Sequence, residues 1–140
     1  MPVEIRRVSP ADATLFERVA EEVFDAPVDS RRLAAYLAQP GHLMIVALHD
    51  GLVVGQTAAV IHRHPDKPTE LYVDEVGVTP GLHRQGIARR MLQAMFALGR
   101  ELGCEEAWVG TEIDNLPARR LYETQGRSES DTFVMYVYEL

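Results

Sequence analysis

The stretch Thr79–Leu92, TPGLHRQGIARRML, leaves an apolar segment (Thr69–Val78, TELYVDEVGV) and enters a helical pattern. A helix N-terminus carries partial positive charge and ordinarily attracts Asp or Glu. Here Arg84, Arg89 and Arg90 crowd that end beside His83, and no acidic residue occurs from Thr79 to Arg100. Unpaired first-turn amides, the helix dipole and flanking arginines together make an anion site, and Gly81 and Gly86 allow a ligand close to the backbone. A phosphate or pyrophosphate suits it best. A P-loop needs Lys-Ser/Thr after its second glycine, where Ile87-Ala88 stands. A dinucleotide fingerprint needs G-x-G-x-x-G in a repeated β-α-β pattern, which Gly81–Gly86 does not supply.

Outward from this stretch, the chain reads as alternating elements. Val3–Ser9 has strand periodicity. Ser9-Pro10 opens a helix carrying Leu15, Phe16, Val19, Val23 and Phe24, and a second helix follows Asp29-Ser30 and stops before Pro40-Gly41. Two apolar runs flank Asp50-Gly51, a dipeptide that accepts the positive φ angles of a tight hairpin. A polar, proline-bounded loop, HRHPDKP, precedes the Thr69–Val78 strand. The longest helix spans Ile87 to Gly103, with Ile87, Met91, Met95, Leu98 and Leu102 on one face. EAWVGTE reads as a strand, NLPARRLYETQ as a helix ending at Gly126, and DTFVMYVYEL as a terminal strand. The order β-α-α-β-β-β-α-β-α-β predicts an α/β (α+β) fold, with a mixed, mostly antiparallel twisted sheet flanked by helices.

At 140 residues without linker, repeat or low-complexity segment, the chain is expected to form a single domain, 1–140. A hydrophobic share of 46% excludes a disordered chain. The opening residues contain no signal-peptide core, no apolar run is long enough to span a bilayer, and Cys104 is alone. These features point to the cytoplasm, with no disulfide and no membrane partner. A net charge of −7 argues against a nucleic-acid partner. Against that acidic background, the four arginines between Thr79 and Arg100 describe a basic pocket suited to an anionic cofactor.

The spacing His83-Arg84-Gln85-Gly86-Ile87-Ala88 resembles the pyrophosphate loop Q/R-x-x-G-x-G/A of the GNAT superfamily of acetyl-CoA-dependent N-acetyltransferases. The later NLPARRLYETQG resembles that family's N-x-x-A-x-x-L-Y-x-x-x-G helix at Asn115, Ala118, Leu121, Tyr122 and Gly126. Two departures stand out: His83 replaces the usual Gln or Arg, and Arg127 replaces the Phe that commonly follows the last glycine. The resemblance implies the GNAT fold and acetyl-CoA as cofactor. It implies that His83, Arg84, Gln85, Gly86, Ile87, Ala88 and Arg89 hold the pyrophosphate, and that Val76, Gly77 and Val78 hold the pantetheine arm as an added strand. An amide near Val76 would polarise the acetyl carbonyl. Asn115 would meet the pantetheine amides, although a helix N-cap explains it equally well.

Amine acetylation also requires a deprotonated amine and a proton for the leaving thiolate. Glu75 is the expected base, with Asp74 as runner-up because a bulge at Gly77 would confuse strand parity. By resemblance, Tyr122 is the acid. Glu70, Asp74, Glu75, Glu112 and Asp114 fall on segments that, in this fold, end near the acceptor mouth, and clustered carboxylates attract a polycation. Asp74, Glu112 and Asp114 are therefore expected to bind a small cationic amine. The run ELYVDEVGVTPGLHRQGIARRM is similar to GNAT-type aminoglycoside 3-N-acetyltransferases, which makes an aminoglycoside 3-amine the leading acceptor. A polyamine, an amino acid, a peptide amine or a non-catalytic acyl-CoA-binding role are the alternatives. His42, His62 and His64 show no ligand-like spacing with Cys or acids, so no metal is expected. Many family members pair their C-terminal strands, so the resemblance allows a homodimer through the apolar FVMYVYEL; a buried internal strand accounts for that segment equally well.

Overall fold

The computed structural model describes residues 2–126 and 129–140. Arg127, the residue standing where relatives have Phe, lies outside the described residues. The chain forms two compact units, Met1–Gly110 and Thr111–Leu140.

The first unit is built on a five-stranded sheet in the order β1 (Glu4–Arg7), β2 (His42–His49), β3 (Leu52–His62), β4 (Glu70–Val78) and β5 (Glu106–Val109). The first three pairings are antiparallel and β4–β5 is parallel, giving the expected mixed sheet. Asp50 and Gly51 both take positive φ, 48° and 77°, which is the hairpin turn expected between β2 and β3. Helix α1 (Ser30–Ala38) is capped by Asp29, whose carboxylate accepts from the amides of Arg31 and Arg32. Helix α2 (Ile87–Glu101) buries Ile87, Met91, Leu92, Met95 and Gly99 against the sheet. The expected face is thus confirmed at its start, but Leu102 is exposed, because the helix ends at Glu101 and Leu102 only caps it. Val46, Val53 and Ala58, with Phe16 and Leu33, fill a core on the α1 side.

The first expected helix is instead a 3-10 segment, Pro10–Glu17. It stops early because the following backbone is taken up by β3: Ala20 donates to the Val53 carbonyl and Val53 to that of Arg18. The chain then turns, with Val23 buried, towards α1. The strand expected through Glu112 ends at Val109, where the β4–β5 pairing itself ends.

The second unit contains α3 (Leu116–Glu123), with Asn115 at its N-cap and Gly126 at φ 105° beyond it. The expected terminal strand is not formed: residues 129–140 carry no strand pairing, and Phe133 to Tyr138 are all more than 60% exposed. Alternating apolar residues supply strand propensity, but a strand also needs a partner for its amides and carbonyls, and this segment has none among the described residues. No helix among the described residues is long and apolar enough to cross a membrane.

Candidate active site

Strand β4 organises the first unit's candidate site through a bulge. Against β3, Ala58 faces Glu75 and Ala59 faces Val73, so Asp74 is the extra residue. A bulge bends its strand and interrupts the ladder. The expected irregularity therefore lies at Asp74, three residues before Gly77. Pairing with β5 covers only Glu70–Val73, which leaves Val76, Gly77 and Val78 paired with β3 on one side and free of β5 on the other.

The direction of the backbone groups follows from alternation along the strand. Thr79 donates its amide to the Val54 carbonyl across on β3. Gly77, two residues earlier, faces the same way, so the amides and carbonyls of Val76 and Val78 face the open edge. The Val78 carbonyl accepts from the His83 imidazole at 2.8 Å. The His83 ring thus ties the following loop to the strand end.

Gly77 has a steric role. A Cβ there would sit 2.4 Å from the Val23 carbonyl oxygen, so the turn after the 3-10 segment crosses β4 at this point. The same carbonyl accepts from the Gln56 side chain at 3.3 Å. This crossing brings Asp25 towards Glu75.

The acidic group on this face comprises Glu75, Asp74 and Asp25. Desolvation raises the Glu75 carboxyl above its usual range, and the charges of Asp74 and Asp25 raise it further. Asp74 is also raised, mainly by desolvation, while a hydrogen bond from its own backbone amide and, after it, the charge of His42 pull it back. Tyr36 donates its hydroxyl to the Leu43 carbonyl at 2.7 Å and stacks obliquely on His42, with ring centroids 4.8 Å apart. Its hydroxyl is pushed up by burial and then by the charge of Asp74. Asp25, Tyr36 and His42 were not expected at the site. Their signal is long-range: only the crossing at Gly77 and the β2–β3 pairing bring them to Glu75, and nothing local in the sequence marks them.

The loop before α2, expected to hold an anion, leads from a turn into the helix as its sequence predicts. A short 3-10 turn, Pro80–Leu82, leads to Arg84 at φ 65° and Gly86 at φ 76°, and Gly86 is the N-cap of α2. No acidic side chain lies in the first turn of α2, and Gly86 offers no side-chain cap. The first intrahelical bond runs from Arg90 to the Gly86 carbonyl, so the amides of Ile87, Ala88 and Arg89 are the helix's unpaired donors. Arg84, Gln85, Gly86 and Arg89 are exposed. Arg90 turns away and donates its guanidinium to the Val3 carbonyl at 3.0 Å.

In the second unit, the Asn115 carboxamide accepts from the Ala118 amide at 3.2 Å, the N-cap geometry that explained it as well as a cofactor contact. Glu112 and Asp114 are exposed just before it. Tyr122 is half-buried, and burial followed by the charge of Glu112 raises its hydroxyl. Glu70 departs from expectation: it is bonded to His64 at the start of β4, five residues and roughly 16 Å of strand from Glu75. His62, His64 and Glu70 are brought together, contrary to the expectation that these histidines stand apart from acids. Loop closure between β3 and β4 does this, and residue spacing alone does not show it.

The acetyltransferase (GNAT) family profile matches residues 11–126. The chain belongs to this family. An uncharacterized N-acetyltransferase of Mycobacterium tuberculosis is 33% identical over 110 residues, covering 79% of this chain and 67% of the relative. Aminoglycoside N(6′)-acetyltransferase type 1 of Salmonella enteritidis is 22% identical, over 96% of this chain and 97% of its own. Among solved structures, AAC(6′)-Iy in complex with the bisubstrate analog CoA-S-monomethyl-acetylneamine superposes with a TM-score of 0.81 at 19% identity, all of both chains being covered. The protein is therefore a GNAT-fold acetyltransferase, an enzyme, and its acetyl donor is acetyl-CoA. Its residues fit that cofactor. The Val76 amide and carbonyl and the Val78 amide on the open edge, the unpaired α2 amides, and a Gly86 beyond which a Cβ would meet nothing within 4 Å form a polar track.

Proposed function

We propose that this GNAT enzyme acetylates an aminoglycoside on its 6′-amine. The observation that carries the reading is the group Glu75, Asp74 and Asp25 beside the open edge of β4. Its mutual repulsion is relieved by a multiply charged cation. Two similar proteins bear N(6′)-type aminoglycoside names, which favours the 6′-amine over the 3-amine expected from the middle of the chain. A polyamine is the second reading, favoured by the same three carboxylates.

Acetyl-CoA supplies the activated acetyl group when bound. Glu75 takes the proton of the substrate ammonium, and its upward shift brings it nearer the pH at which a base is efficient. Asp74 and Asp25 hold the remaining ammonium groups; the family resemblance gives Glu112 and Asp114 the same kind of role. The Val76 amide would donate to the acetyl carbonyl, and Val78 would extend the contact to the pantetheine arm along the open edge, while Gly77, whose own amide and carbonyl face β3, serves by keeping the strand in place under the crossing turn. His83, Arg84, Gln85, Gly86, Ile87, Ala88 and Arg89 hold the pyrophosphate. Asn115 meets the pantetheine amides from its cap position, and Tyr122 keeps a proton on its hydroxyl for the leaving thiolate. The whole chain acts as one catalytic domain in the cytoplasm, and the exposed apolar segment at 131–140 supports a homodimer.

A thiol-release assay with acetyl-CoA against 6′-amino aminoglycosides, 6′-hydroxy analogues, polyamines and amino acids tests the acceptor. Turnover of the 6′-amino compounds, lost in the 6′-hydroxy analogues, is the expected result. Turnover of both aminoglycoside sets moves the reaction to another amine, and preference for spermidine-like amines establishes the second reading.

A further inference from the structure

At the far end of β4 from the acetyl-CoA track lies a second cluster. The β3–β4 register sets His62 directly opposite Glu70, and the connecting loop brings His64 back over the Glu70 carboxylate. One ligand-type atom from each of the three residues lies within 4.8 Å of the others. The His62 and His64 rings face each other with centroids 4.2 Å apart and planes 38° from parallel. Hydrogen bonding accounts for His64 against Glu70, but it leaves the second imidazole packed on the first without a polar reason.

We propose that His62, His64 and Glu70 bind one divalent transition-metal ion of the zinc class. Two imidazoles and one carboxylate are a donor set that suits zinc, with a fourth tetrahedral position left for water. Zinc bonds near 2.0–2.1 Å require ligand atoms about 3.3 Å apart, so the close His64–Glu70 contact opens and His62 turns in by a modest side-chain adjustment to surround an ion. The backbone already holds the set: His62 and Glu70 are fixed by the ladder, while Pro65 and Pro68 stiffen the loop that carries His64. The His64 and Glu70 side chains are only 13% and 20% exposed, whereas His62 is open to solvent, so an ion has both shelter and an entry path. Glu106, the register partner of Glu70 on β5, adds negative charge beside the set. Val76 lies six residues along β4, roughly 20 Å of strand away, so the ion's role is to pin the β3–β4 loop. This inference does not depend on which amine is acetylated.

Metal-stripped, untagged full-length protein is titrated with zinc chloride at pH 7.5 by calorimetry and by competition with a chromogenic zinc indicator. One ion per chain is expected, with micromolar or tighter affinity and a rise of several degrees in the melting temperature. His62→Gln changes an exposed side chain and leaves the metal-free melting temperature in place. Outer-shell partners alone are worth 10–100-fold in metal affinity, so losing this ligand is expected to weaken zinc binding by more than about 100-fold, as are His64→Gln and Glu70→Gln. His49→Gln binds as the parent does. Cobalt substitution gives the visible bands of a four-coordinate site. Zinc binding that is absent, or that survives unchanged in His62→Gln and Glu70→Gln, overturns the proposal and leaves a hydrogen-bonded pair with a stacked neighbour.

Discussion

Glu75 illustrates how one residue carries both a cost and a use. Its carboxyl is raised by desolvation and by the charges of Asp74 and Asp25. A carboxyl raised in the folded chain favours folding below its ordinary range, and that contribution is lost as pH rises through the raised value. Glu75→Gln is therefore expected to melt at a higher temperature than the parent at pH 7.5, with the difference vanishing near pH 4. The same change should lower turnover by roughly 10²-fold or more if the carboxylate is the base, and the acid limb of the parent's rate profile should lie above the ordinary Glu range. Unchanged turnover with the stability gain intact would pass the base role to Asp74 or to water. Gly77 makes a steric argument of the same kind. The Cβ of Gly77→Ala would meet backbone, the Val23 carbonyl oxygen at 2.4 Å, and not a flexible side chain. Forced repacking of this sort costs about 1–3 kcal/mol, to be read as a lower urea midpoint. A neutral substitution would show that the crossing turn can move aside.

At the scale of elements, the loop from Thr79 to Gly86 and the bulge at Asp74 cooperate. The bulge frees the β4 edge, and the loop then presents the α2 amides beyond the same strand end. Gly86 at φ 76° is the joint between loop and helix. A β-branched residue is strained there, so Gly86→Val is expected to abolish the rise in melting temperature produced by acetyl-CoA while leaving α2 helical by circular dichroism. A retained shift would place the pyrophosphate elsewhere. Elements whose signals are local were legible in the sequence: the Asp50-Gly51 hairpin, the helix after Asp29-Ser30, the start of α2 and the turn that leads into it. Features that depend on register were not. Asp74 as the bulged residue, Asp25 reaching Glu75 over Gly77, and His62 opposite Glu70 arise from how strands align, which periodicity does not encode. The first helix failed for a related reason, since the apolar residues at 19 and 23 serve a bridge to β3 and a crossing turn rather than a helical face.

For the whole molecule, the last twelve residues pose the largest imbalance between chemistry and environment. Phe133, Val134, Met135, Tyr136, Val137, Tyr138 and Leu140 are exposed along one segment that pairs with no strand among the described residues. Contiguous apolar surface of this extent marks an interaction site, and unpaired backbone with alternating side chains invites strand addition. A second copy of the chain meets both needs at once, because a symmetric pair buries the same segment twice. The full-length protein is therefore expected to be a dimer at micromolar concentration by size-exclusion chromatography with light scattering. Removal of residues 131–140 should give a monomer that keeps the far-ultraviolet dichroism of the first unit's sheet and α2. Because the loop proposed for acetyl-CoA and Glu75 lie well before that segment, the shortened chain should still show a melting shift with acetyl-CoA. A monomer of the whole chain would mean that the terminal segment finds its partner within its own chain, and a shortened chain that still dimerises would place the interface elsewhere.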